Sequence, residues 1–197
     1  MHKGLLLLSL LWLVAGQGIA TSPGYHDTED DANRVYSALI EKKMAGRTRI
    51  VFIEATTLIE PLDRITMFKV RPDSSLTTMN ESEKLEHLKT KLSLISQDTL
   101  GDYLNKGKKE VQLNLSLDGT IKYRLMSRMQ YKQMQDKIQN KHLLPEFISF
   151  SRIGFNVPRT QALVSMETSG GTDGECFQLL LEKDRSKWII KQSWDGQ

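Results

Sequence analysis

Apolar residues first gather in one run, Gly4–Gly16 (GLLLLSLLWLVAG), behind a basic start, Met1-His-Lys3, and ahead of Gly18-Ile-Ala20. A positive start, a short apolar stretch and a small-x-small site are the parts of a secretory signal peptide, here cleaved after Ala20. The run is shorter than the ~20 apolar residues of a spanning helix. Residues 21–31 (TSPGYHDTEDD) are polar and acidic and read as a flexible lead-in. Periodicity begins after it. Val35, Leu39 and Ile40 recur at helical spacing, with Tyr36 and Met44 widening the stripe, Thr28 as cap and Gly46 as stop. Arg49–Ala55 (RIVFIEA) is short, β-branched and apolar, as in a buried strand. Pro61 and Pro72 bracket an extended stretch. Leu85, Leu88 and Leu92 then line a helix over Glu81–Ser96, capped by Asn80 or Ser82, and a shorter helix covers Thr99–Lys106.

The pattern next switches to a period of two. Val111, Leu113, Leu115 and Leu117 alternate with polar residues, as do Ile121, Tyr123 and Leu125 beyond Asp118-Gly119. This predicts a hairpin. A three-residue loop, Asp118–Thr120, pairs Leu117 with Ile121 and keeps the apolar sets on one face, whereas a one-residue slip would separate them. Ser127-Arg-Met-Gln130 has the form of a capping box opening a helix to Lys141, with Tyr131, Met134 and Ile138 inward. Four strands follow: Phe147–Ile153, Gln161–Glu167, Phe177–Glu182 and Trp188–Trp194. The connections are short, as in an antiparallel meander. Helices first and strands last predict an α+β fold, with N-terminal helices packed on a mainly antiparallel C-terminal sheet. Residues 32–197 then form a single domain, a size that can bury its own core.

Composition removes several functions from this picture. With 27 Lys and Arg against 24 Asp and Glu, the net charge of +3 is small. Mixed charge of this kind describes a solvated surface, not a nucleic-acid footprint. Lys106, Lys108 and Lys109 form the densest basic cluster, and Glu110 interrupts it. The chain has one cysteine, Cys176. An exported domain with one thiol cannot staple itself internally, and a Cys-based zinc site is excluded. Among four histidines, His26, His87 and His142 follow the leader without metal-ligand spacing. His87 falls on the polar side of a leucine-lined helix. GxSxG, P-loop and GxGxxG motifs are absent. No cofactor, metal or nucleic acid is expected, and no integral membrane segment follows the signal.

The remaining chemistry lies near the C-terminus. Ser169-Gly-Gly-Thr-Asp-Gly174 is the most glycine-dense stretch and suits a hairpin loop, with Cys176 beside it. Glu54 and Glu60 flank a strand end and are the carboxylates most open to acid–base work. Trp188 and Trp194 are six apart on one strand, hence on one face, where two aromatics either pack or stack on a ligand. Arg152 and Asn156 flank Gly154-Phe155 ahead of Pro158 and could fix a turn or hold a ligand.

Ser151-Arg-Ile-Gly-Phe-Asn156, Gln161-Ala-Leu-Val164, the glycine loop, Leu179–Lys183 and Lys187-Trp-Ile-Ile190 together resemble a recurring set of uncharacterised secreted bacterial proteins. Their pattern runs SRxGFN, QALV, a glycine loop and KW. The resemblance implies a secreted or periplasmic protein and carries no catalytic residue with it. Members often have a paired-cysteine glycine loop, and this chain has Cys176 alone. The expected function is an exported, non-enzymatic domain that binds a ligand or partner through Arg152, Asn156, Trp188 and Trp194. The alternative is an extracytoplasmic hydrolase with a site near the Gly170 loop and Cys176.

Overall fold

The computed structural model describes residues 24–45, 50–59, 68–70, 76–113, 115, 117, 122–138, 145–169 and 174–195; for 24–29, 68–70 and 76 it describes the backbone alone. The expected signal peptide, the expected Asp118–Thr120 turn and glycine loop at Gly170, and Glu60, Pro61, Pro72 and His142 lie outside the described residues.

Among the described residues, four helices and a mixed, mainly antiparallel sheet make an α+β fold. The elements in chain order are α1 (Gly24–Met44), β1 (Val51–Glu54), β2 (Phe68–Val70), β3 (Leu76–Thr78), α2 (Glu81–Lys91), α3 (Gln97–Lys106), β4 (Tyr123–Met126), α4 (Arg128–Lys137), β5 (Phe147–Phe150), β6 (Gly154–Phe155), β7 (Gln161–Ser169), β8 (Glu175–Asp184) and β9 (Lys187–Asp195). The main sheet runs β4-β1-β5-β7-β8-β9, with β6 also beside β7. Strands β5, β7, β8 and β9 form the expected antiparallel meander, whereas β1 is parallel to both β4 and β5. Strands β2 and β3 pair separately.

Burial divides the sheet into two faces. On one, Val35, Tyr36, Leu39, Ile40 and Met44 of α1 join Ile148, Phe150, Val164, Leu179, Leu181 and Trp188 in the larger core. The Tyr36 hydroxyl donates to the Ser151 carbonyl at 3.0 Å. On the other, Leu88, Leu92, Leu100 and Tyr103 of α2 and α3 cover Leu163, Leu180 and Trp194. The alternation of β7 and β8 therefore feeds two cores, and their near-continuous burial follows.

Local signals account for several boundaries. Asn80 and Ser127 each close a full capping box, on Glu83 and Gln130 respectively. Ser96 caps α3. Helix α1 starts at Gly24, ahead of the expected Thr28 cap, so the expected lead-in is helical from Gly24 onward. The helix expected to reach Ser96 ends at Lys91 because side chains from the sheet take its next backbone groups. Gln161 Nε2 donates to the Leu94 carbonyl (2.9 Å), Gln192 accepts from Leu94 N–H (3.0 Å), and Gln161 Oε1 accepts from Ser96 N–H (2.7 Å). Helix α4 ends at Lys137, with Ile138 already extended, short of Lys141. Among the described residues of the strand expected from Val111, the pairing is a bridge between Gln112 and Thr56, and Leu113 and Leu115 are buried as their alternation implies.

Strand β9 corrects one expectation outright. Leu181 pairs with Ile190 and Leu180 with Gln192, so Lys191 is an extra residue in a β-bulge. The bulge reverses the alternation between the two tryptophans. Trp188 enters the α1 core and Trp194 the α2/α3 core, on opposite faces of the sheet.

Candidate functional site

The polar residues of interest lie on the face that α2 and α3 only partly cover. Ser149, Glu167 and Cys176 are register partners across β5, β7 and β8. Glu54 is two residues beyond Phe52, which pairs with Phe147, and so shares the face and the row. Helix α4 borders the row on one side, where Tyr131 stacks on Phe147 with ring centroids 4.3 Å apart. Helix α3 borders it on the other.

Arg128, the first residue of α4, reaches across the row. Its Nε and Nη2 donate to the two oxygens of Glu54 at 3.2 and 2.9 Å, and Nη2 also donates to Ser149 Oγ (3.2 Å) and Glu167 Oε2 (3.3 Å). The paired fork on Glu54 suits the planar guanidinium. The side chain of Glu54 is 11 % exposed and that of Arg128 51 %. A carboxylate this withdrawn from water requires its partner. The hydrogen bond to Glu54 holds the guanidinium proton more firmly than usual, with the attraction of both glutamates adding to it and partial burial opposing it.

One step along the strands towards α3, the row continues into the core. The Tyr103 hydroxyl meets Ser165 Oγ and donates to Gln178 Oε1 at 3.1 Å; Ser165 Oγ donates to the same oxygen at 2.7 Å. All three residues are fully buried. Burial pushes the Tyr103 phenol well above its ordinary value of 10.0, partly offset by its hydrogen bonds to the serines, with Cys176 raising it further. Tyr103 reaches this depth because α3 lies directly on β6. A Cβ at Gly154 would stand 2.4 Å from Tyr103 backbone nitrogen and Cβ, so only glycine allows the approach. Gln178 Nε2 is buried without a hydrogen-bond partner.

The four residues expected to bind a ligand are divided between the two faces: Trp194 pairs with Gln178 at the end of the buried row, whereas Trp188 enters the opposite core. Asn156 organises the β6–β7 turn: its Oδ1 accepts from Thr160 N–H (2.8 Å) and Gln161 N–H (2.9 Å), and its Nδ2 donates to Thr160 Oγ1 (3.0 Å). Arg159 in that turn has φ of 53°. Arg152 is half-buried and near enough to Tyr36 to favour its phenolate, against the larger upward push of burial on that phenol. Trp188 packs on Phe155 (5.8 Å between centroids) beneath Lys183, and Trp194 packs edge-on against His87 (5.5 Å). His87 is therefore half-buried on an aromatic ring, not on the polar side of α2.

Four residues of the SRxGFN segment thus have a structural account. Ser151 Oγ accepts from Ser165 N–H (2.8 Å), Gly154 admits Tyr103, Asn156 ties the turn, and Phe155 lies under Arg159 and Lys106.

Arg128 and Glu167 were not singled out by sequence. One signal was available for Arg128: it is a cation in the first turn of a helix that has no acidic residue there, where the dipole favours negative charge. Such a local misfit marks a residue held by something else. Glu167 offers no comparable signal, because only strand register brings it to Arg128. Among the described residues no helix is long and apolar enough to cross a membrane, and no three His, Cys, Asp or Glu group to hold a metal ion. Comparison with protein-family models, with curated proteins and with solved structures found no match.

Proposed function

We propose that this chain is an exported, non-enzymatic domain, secreted or periplasmic, that binds a ligand or partner on the α4-bordered strip of its sheet. The observation that carries the reading is the Arg128 network. A half-exposed guanidinium holds two glutamates and a serine in one fixed row, and this presents prepositioned charge and hydrogen-bonding groups at the surface. Preorganisation of this kind lowers the cost of binding. The groups are engaged with one another as pairs, which suits recognition better than proton transfer. The signal-like N-terminus and the resemblance to secreted bacterial proteins support export.

A thermal-shift screen with cationic, anionic and neutral solutes and short peptides tests the site, using wild type and Glu167→Gln. A compound that stabilises wild type but not the variant supports the strip. Equal stabilisation of both places binding elsewhere. Turnover of ester, peptide or glycoside substrates that is abolished by Cys176→Ser would replace this reading with the hydrolase alternative. Export is tested separately by N-terminal sequencing of protein recovered outside the cytoplasm, with Thr21 the expected first residue.

A further inference from the structure

We draw no further inference here: the strongest candidate, the buried Tyr103–Ser165–Gln178 cluster beside Cys176 on the α3 side of the sheet, adjoins the site already described, and nothing in the structure shows that the Gln178 amide nitrogen faces a space a ligand could enter.

Discussion

Single residues carry much of this fold's specificity. Gly154→Ala puts a methyl group inside contact distance of the α3 backbone, and α3 must lift to relieve it. Overpacking of this kind costs about 1–3 kcal/mol, so urea denaturation should show a lower midpoint with little change in slope. Tyr103→Phe keeps the ring but removes one partner from each of Ser165 and Gln178. Leaving buried polar groups short of a partner costs about 1–3 kcal/mol, and the same measurement should show it. Arg128→Ala removes the fork on Glu54 and is expected to cost about 1.5–3 kcal/mol, as for hydrogen bonds to charged groups. Arg128→Lys should recover only part of that, since an ammonium cannot reproduce the fork. At this scale the sequence was half legible. The Asn156 turn and the Ser127 cap follow from residue type and spacing. The Glu54–Arg128–Glu167 row does not, because its members are 74 and 39 residues apart and meet only through strand register.

At the scale of elements, the signals that held are those contained in a few consecutive residues. Helix caps, short apolar runs and short connections located α4, the start of α2 and the meander. The failures share a cause, which is distant chain deciding a local outcome. Helix α2 stops where Gln161 and Gln192 claim the backbone of Leu94 and Ser96. The segment at Gln112 bridges Thr56, and the second arm of its expected hairpin is β4, which pairs in parallel with β1. The Lys191 bulge is the sharpest case, since one extra residue reverses the facing of everything after it. Deletion of Lys191 leaves the two tryptophans five residues apart, so simple alternation without a bulge keeps Trp188 in the α1 core and Trp194, opposite Gln178, in the α2/α3 core. Cooperative unfolding, with the hydrogen-exchange protection of α2 and α3 retained, is the expected result. Early exposure of α2 and α3 in the deletion variant would show that the bulge does more than absorb one extra residue.

For the whole molecule, pH dependence follows from the buried phenols. Burial raises both Tyr36 and Tyr103 above the ordinary tyrosine value of 10.0, with burial the largest cause in each. The native state holds these protons more tightly than the unfolded chain does. Their contribution is therefore complete below about pH 10 and is lost as pH rises above it. Denaturation midpoints measured across that range should fall, and Tyr103→Phe should show a shallower fall than wild type. An identical fall in the variant would exclude Tyr103 as a source. The α+β class was readable from the order of helices and strands. The parallel placement of β1 between β4 and β5 was not, because no short-range signal fixes which strands adjoin across a long connection.

The opposed tryptophans also make the protein its own two-channel reporter. Trp188 emits from the layer shared with α1, and Trp194 from the layer shared with α2 and α3. In Trp194→Phe the emission of the first layer is read, and in Trp188→Phe that of the second, with Trp12 replaced by Phe in both where the leader is retained. Two denaturation curves that superimpose, each against the far-ultraviolet signal of its own variant, would mean that the sheet binds both layers into one cooperative unit. Curves that separate would rank the two layers by strength, and the earlier one would identify the side of the sheet that opens first.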